Sequence, residues 1–279
     1  MTNLYAAATR DELWLHGRLV ERRLAHGLAI EDEHGIRAAD ARDDALVDAC
    51  DAAMDELHAY VVPDARTRFV VEASADGVTR TIVVTLANRS VVTTPEHFEH
   101  DIALLRDAMD GDAAPRSLPF LWKHGSAAVL LHEAIGHPLE HGQPPIELPS
   151  WLTVDVPLRQ RRASFKDVPL ERMTNVVTRQ HEAPFTLPEE RIEIVLVDSG
   201  AYDPLTEVVT LRIAAANLVE RARVQSMAPF TISEARRNIA RAIVGAAGEP
   251  LRYPGVICSR EGQELVVGSY APLLLTELA

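Results

Sequence analysis

The stretch Leu130-Leu131-His132-Glu133-Ala134-Ile135-Gly136-His137 carries two imidazoles and a carboxylate directly after an apolar run. Imidazole nitrogens and carboxylate oxygens are the ligands and proton carriers that zinc hydrolases use. On an ideal α-helix, side chains five residues apart diverge by about 140°, so one metal ion could not be reached from both histidines. A π-type turn would reduce the offset to about 50°. The spacing therefore predicts a π-type turn between His132 and His137.

Two neighbouring residues favour such an irregular turn. Gly136 lies between the histidines and is expected to relax the backbone. Pro138 follows them and cannot donate a hydrogen bond to the carbonyl of Ala134. Glu140 and His141 remain open as alternative metal ligands. His137 and His141 form an i, i+4 pair, although Pro138 disfavours a regular helical turn there.

Composition limits the partners and the compartment. The net charge of −13 and a pI near 5.3 argue against nucleic acid or an anionic membrane as a partner. No basic segment followed by an apolar core opens the chain, and no apolar run approaches the roughly 20 residues of a membrane span. Two cysteines, Cys50 and Cys258, are too few for a disulfide framework. We therefore expect a reduced, soluble, cytoplasmic protein.

Residues 1–115 are predicted to form a small N-terminal α/β domain. Thr9-Arg10-Asp11-Glu12 matches a capping box and predicts a helix from Thr9 to about Ala25. A second helix is expected after Asp43 or Asp44, with Cys50 as a core residue on its apolar stripe.

Further signals in this half predict a hairpin and a third helix. Asp76-Gly77 lies between two β-branched runs and predicts a hairpin turn. Thr94-Pro95 predicts a helix start, and the helix should end near Met109 with His97 and His100 on a solvated face. The segment 110–115, which contains Gly111 and Pro115, is the expected domain boundary.

Residues 116–279 are predicted to form a mostly antiparallel β domain that carries the motif helix, so the fold class is α+β. A proline-rich loop follows the motif, and strands are expected at 191–197, 207–213 and 217–224. A last helix is predicted from about Ser233 to Val244. Val256-Ile257-Cys258 should form a strand that turns at Glu261-Gly262 and returns.

Three segments in this half resemble one known family. Ala128–Glu140 is similar to the signature of the TldD/PmbA (TldD/TldE) metallopeptidases. Glu171-Arg172-Met173-Thr174-Asn175 resembles the R-M-T-N element of that family, and 255–263 resembles its C-terminal cysteine segment. The resemblance covers about Leu118 to Ala279, and the three matches occur in the family's order.

The resemblance implies a zinc site and a mechanism. By itself Cys258 would be read as a buried apolar cysteine. The family's pattern implies that His132, His137 and Cys258 bind one Zn²⁺ per chain and that Glu133 is the catalytic base. Arg172 and Asn175 are candidates for holding substrate or shaping the cleft.

The expected function is that of the zinc-bearing subunit type, with a shortened N-terminal half. This is a metallopeptidase that hydrolyses unfolded or leader-type peptides. The expected assembly is a homodimer, or a heterodimer with a TldE/PmbA-like subunit. The short first half and the altered loop after His137 leave a zinc-stabilised, non-catalytic subunit as the alternative. A zinc hydrolase of non-peptide amides is a third reading.

Overall fold

The computed structural model describes most of the chain beyond residue 52 and short segments before it. The described residues are 3–9, 13–14, 30–32, 35–37, 52–53, 56–57, 59–60, 62, 64–74, 77–87, 89–111, 113, 116–161, 168, 170–181, 185–221 and 223–278. The contacts within the chain divide it into two compact units. The first unit comprises Met1–Phe98, Arg159–Arg172 and Ile257–Val266. The second unit comprises Glu99–Leu158, Met173–Val256 and Val267–Ala279.

Strands predominate among the described residues. They are β1 Asn3–Thr9, β2 Leu13–Trp14, β3 Ile30–Asp32, β4 Gly35–Arg37, β5 Arg66–Ser74, β6 Gly77–Leu86, β7 Arg89–Thr93, β8 Phe120–Trp122, β9 Leu152–Asp155, β10 Leu158–Arg161, β11 Leu170–Met173, β12 Asn175–Gln180, β13 Glu190–Asp203, β14 Val208–Glu220, β15 Arg223–Ser226, β16 Phe230–Ala235, β17 Ile243–Arg260 and β18 Gln263–Thr276. The helices are α1 Phe98–Met109, α2 Ala127–Leu131, a π-helix His132–Gly136, α3 His137–Glu140 and α4 Arg236–Ala242. Extended sheets with few helices confirm the predicted α+β class.

The first unit contains an antiparallel sheet. Its strand order is β4-β3-β1-β5-β6-β7, with β2 paired to β1. The predicted hairpin is confirmed, because β5 and β6 pair from Ser74 opposite Gly77. A separate two-stranded sheet pairs β10 with β11.

The predicted helix from Thr9 to Ala25 is wrong where the structure describes it. Thr9 ends β1, and Leu13–Trp14 form β2, which pairs with Ala7 and Ala8. Cross-strand pairing thus overrides the local capping signal. Residues 10–12 and 15–29 lie outside the described residues, as does Cys50. In the second predicted helix, 52–53 and 56–57 are helical and Leu57 is buried.

Helix α1 ends at Met109 as predicted, but it begins at Phe98 rather than directly after Thr94. A turn over Pro95–His97 precedes it, with the His97 N–H bonded to the Thr94 carbonyl, and it ends at Met109. His97 and His100 are exposed, as expected for a solvated face. The boundary expected between residues 115 and 116 stays a prediction, because residues 114–115 lie outside the described part of the chain.

The second unit is built on a mixed sheet. Its order is β15-β14-β13-β8-β18-β12-β9, with β16 paired to β14 and β17 to β18. Two of the pairs are parallel, β8 with β13 and β12 with β18. Helix α2 contacts β12 and β13, and all five of its residues are buried. A helix that is apolar on every side is stable only when it is enclosed in this way.

Two sequence predictions in this unit need correction. The sequence predicts separate strands at 207–213 and 217–224, but β14 runs without a break from Val208 to Glu220, and β15 begins at Arg223. The last helix begins at Arg236 rather than Ser233, because Phe230–Ala235 pair with β14. The predicted C-terminal hairpin is confirmed by β17, a turn at Glu261-Gly262, and β18. In the part of the chain that the structure describes, no helix has the length and apolar character to cross a bilayer.

Candidate metal centre

The π-type turn that the histidine spacing predicts is present. His132–Gly136 form a π-helix between α2 and α3, and the His137 N–H donates to the His132 carbonyl, five residues earlier. The extra residue in the turn rotates the second histidine back towards the first. Their ring centroids lie 4.9 Å apart at an interplanar angle of 85°. Both imidazoles therefore face one region of space.

Gly136 contributes to the turn by leaving space. Its φ of −62° and ψ of −58° lie in the helical region open to every residue, so the backbone relaxation expected from the sequence is not its role. A Cβ at this position would lie 2.6 Å from Sδ of Met173. The buried Met173 side chain occupies that place and packs against the turn.

Three side chains with metal-binding atoms come together here. The ligand atoms of His132, His137 and Cys258 all lie within 4.8 Å of one another. Zinc bonds of about 2.0–2.3 Å in a tetrahedron hold ligand atoms about 3.5 Å apart, so small side-chain adjustments would complete the site. No other group of three such residues occurs among those that the structure describes.

The donor chemistry of this group fits zinc. Two imidazole nitrogens and one sulfur suit zinc far better than magnesium or calcium, which prefer oxygen ligands. His132 and Cys258 are buried, with exposed fractions of 0% and 3%, and the His137 side chain is 13% exposed. Low exposure holds the donors in fixed positions and limits competition from water.

Glu133 lies beside the three ligands. Its Oε2 is 3.6 Å from Nε2 of His137, and the side chain is buried. Burial raises the pKa of Glu133 to about 7, with the charge of His137 opposing that rise and the charge of Glu140 adding to it. A Cβ on Gly200 of β13 would lie 2.5 Å from Cγ and Oε1 of Glu133. The glycine thus leaves the place that the carboxylate occupies.

The strand that carries Gly200 is irregular just before it. The pairing of β13 with β14 shifts register between Ile194 and Ser199, which marks a β-bulge. The Tyr253 hydroxyl accepts the Val197 N–H at 3.0 Å and donates to the Val197 carbonyl at 3.3 Å. These bonds satisfy backbone groups that a bulge leaves unpaired.

A second carboxylate orients His137. Oε2 of Glu140 lies 3.0 Å from Nδ1 of His137, and Oε1 accepts the Met173 N–H at 2.7 Å. Glu140 is therefore an orienting group in this arrangement, whereas sequence reasoning treated it only as a substitute ligand. Carboxylates commonly hold the outer nitrogen of a metal-binding histidine in this way. The i, i+3 spacing of His137 and Glu140 was the available signal.

The two predicted substrate-binding residues differ in their surroundings. Arg172 is fully buried, and its Nη2 donates to the Cys258 carbonyl at 2.8 Å and to Sγ at 3.0 Å. Asn175 is exposed at the start of β12, and its Oδ1 occupies the space that a Cβ on Gly268 would need. Contact of either residue with substrate stays a prediction.

The loop after the motif is bonded to β13 and to α4. The Tyr202 hydroxyl donates to Oε1 of Gln143, and the Arg236 guanidinium donates to the Pro144 carbonyl at 3.3 Å. His141 is exposed and its ring lies 6.3 Å from that of Tyr202. The unusual sequence after His137 thus forms defined contacts.

The metal-binding group exposes little surface. A cavity of about 510 Å³ in the second unit is lined by Arg116, Phe120, Phe230 and neighbours, and none of its lining residues belongs to the metal-binding group. Of the three proposed ligands, His137 has the most exposed side chain. The edge of its ring is therefore the part of the metal-binding group that solvent reaches most.

Comparisons with known proteins give distant likenesses. No protein-family profile and no curated protein matches the sequence. TldE from Thermococcus kodakarensis aligns at a TM-score of 0.42 and 10% identity, over 99% of this chain and 94% of that one. A proposed modulator of DNA gyrase from Bacteroides thetaiotaomicron aligns at 0.41 and 11% identity, over 86% and 73%. Likenesses at this level do not assign the chain to a family.

Proposed function

We propose that this protein is a zinc-dependent metallopeptidase of the TldD/PmbA type. One observation carries the proposal: a buried carboxylate, Glu133, lies beside His132, His137 and Cys258, whose ligand atoms are within 4.8 Å of one another. A purely structural zinc site has four protein ligands and no need of a neighbouring base. The resemblance of the three sequence segments supports the same family.

The metal would supply one part of the chemistry. A zinc ion held by three protein ligands would supply a Lewis acid that polarises a carbonyl and lowers the pKa of water. His132, His137 and Cys258 would hold one ion per chain. Glu140 fixes the ring of His137 by accepting from Nδ1, so that Nε2 presents its lone pair.

Glu133 carries the proton in this proposal. Its Oε2 lies 3.6 Å from Nε2 of His137, the nitrogen proposed to bind the ion, so it would reach a water that reacts beside that ion. It takes the proton of that water as the oxygen attacks the scissile carbonyl, and passes it to the leaving amine. Gly200 keeps the carboxylate in position, because no side chain there competes for its place.

The proposed substrate class follows from the burial of the site. Because His132, Glu133 and Cys258 are buried, the surface of a compact protein could not reach them, whereas an extended peptide could enter past His137. The net charge of −13 offers no basic groove, so binding should rely on backbone pairing with a strand edge. We propose unfolded or leader-type peptides as substrates, in the cytoplasm. The proposed assembly is a homodimer, or a heterodimer with a TldE/PmbA-like subunit.

Turnover of unfolded peptides by zinc-loaded protein tests the proposal. Glu133→Gln should keep its zinc and lose about 10²–10⁴-fold in turnover, because the proton carrier is gone. Glu189→Gln, at an exposed carboxylate, is the matched control and should behave as the parent. Equal turnover in Glu133→Gln would refute the mechanism. Bound zinc without turnover in the parent would favour the non-catalytic subunit instead.

A further inference from the structure

Arg172 is enclosed in protein and joined to the proposed cysteine ligand. Its exposed fraction is 0%, and Nη2 donates both to the Cys258 carbonyl at 2.8 Å and to the Cys258 Sγ at 3.0 Å. Nη1 donates to the Gln263 carbonyl at 3.4 Å. One guanidinium therefore links the two strands at the β17–β18 turn, on either side of Glu261-Gly262.

These contacts come from residues of one unit. Gln263 is itself held by its Nε2, which donates to the Val168 carbonyl at 2.8 Å. The planar guanidinium presents its donors in a rigid fork, so bonds to a carbonyl and a sulfur of the same residue fix both the backbone and the side chain of Cys258. A charged donor also makes a stronger hydrogen bond than a neutral one, above all to a negatively charged acceptor.

We propose that Arg172 is a positioning residue for the metal centre, holding the Cys258 sulfur as a ligand through its N–H···S hydrogen bond. This inference rests on the proposed zinc site, and it gives Arg172 a role other than the substrate contact expected from the sequence. A residue with no exposed surface cannot meet a peptide directly. It can, however, aim the sulfur and balance part of the negative charge that a thiolate ligand brings.

The structure offers a matched control for this role. Arg260 lies on β17, two residues from Cys258, and its Nη1 donates to the Glu171 carbonyl at 3.1 Å. Arg260 and Arg172 thus both join the β17–β18 hairpin to β11, but Arg172 is the arginine whose guanidinium donates to the sulfur. Loss of Arg260 therefore removes a comparable arginine–carbonyl link and leaves the N–H···S bond in place.

Zinc affinity and the spectrum of the cobalt-substituted protein test the proposal. Arg172→Met should weaken zinc binding, measured by competition with a chromophoric chelator, by about 10–100-fold, the usual effect of losing a group that orients a ligand. The sulfur-to-cobalt charge-transfer band should shift or weaken as well. Arg260→Met should bind zinc as the parent does and keep its band.

If Arg172→Met does not fold, Arg172→Lys provides a second variant for the same test. Lysine retains the buried charge but cannot span the carbonyl and the sulfur with a planar fork, so zinc affinity should fall and the cobalt band should still shift. Parent-like affinity and spectrum in a folded Arg172 variant would overturn the proposal, as would a parent chain that binds no zinc. Zinc binding without peptidase turnover would overturn only the proposed function.

Discussion

Replacing Gly200 with alanine tests the placement of the proposed base. The new Cβ would lie 2.5 Å from Cγ and Oε1 of Glu133, whereas ordinary contact begins at 3.4 Å. The carboxylate must therefore move by about 0.9 Å or the strand must shift. A displacement of about 1 Å costs about 10²-fold in rate when it misaligns a reacting group, and forced packing in a core costs about 1–3 kcal/mol.

The assay separates this effect from loss of the metal. Gly200→Ala should keep one zinc per chain and lose about 10²-fold in kcat on an unfolded peptide, since Gly200 touches the base and not the ligands. Ala201→Ser adds one atom to the exposed neighbour, which points to the opposite face of β13, and is the matched control. It should leave kcat and stability unchanged.

A double substitution identifies the colliding side chain. In a Glu133→Ala background the colliding atoms are absent, so adding Gly200→Ala should cost little further stability in thermal unfolding. Parent-like kcat and stability in Gly200→Ala would refute the reasoning. An equal loss of stability with and without the Glu133 side chain would show that the strand, and not the carboxylate, determines the cost.

Two further predictions follow from these contacts, and a third follows from the proposed assembly. Glu140→Gln should weaken zinc affinity by about 10–100-fold while the fold is kept, because His137 loses the carboxylate that orients its ring. Competition with a chelator measures this affinity, and an unchanged value would contradict the orienting role. Gly136→Ala should lower the free energy of unfolding by about 1–3 kcal/mol, because its Cβ meets Met173. Met173→Ala in the same chain should relieve that collision, and a Gly136→Ala penalty that persists there would place the strain elsewhere. Light scattering should find a dimer, alone or with a TldE/PmbA-like partner; a monomer under both conditions would argue against the proposed assembly.

The sequence indicates the local geometry of the centre well. Two histidines five residues apart could share a metal only across a widened turn, and the π-helix His132–Gly136 has that form. The constraint lies within six consecutive residues, so no knowledge of distant packing was needed. The hairpin of β5 and β6 was predictable for the same reason, from the Asp76-Gly77 signal in the sequence.

Contacts between distant segments could not be inferred from spacing. Nothing near Cys258 in the sequence says that its sulfur meets two histidines more than 100 residues earlier, and only the family resemblance suggested it. The close approach of Gly200 to Glu133, and the reach of Arg172 to the sulfur, arise from packing. Pairing with neighbouring strands also determined the state of Leu13–Trp14, against the local helix signal.

Zinc content is the most direct test of the central claim, that His132, His137 and Cys258 bind a metal ion. Elemental analysis of the purified chain should find about one zinc per chain. The ion should be lost in His132→Ala, His137→Ala and Cys258→Ala, and kept in His141→Ala, where an exposed histidine is removed. A parent without zinc would contradict the claim, and full occupancy in Cys258→Ala would remove the cysteine from the site.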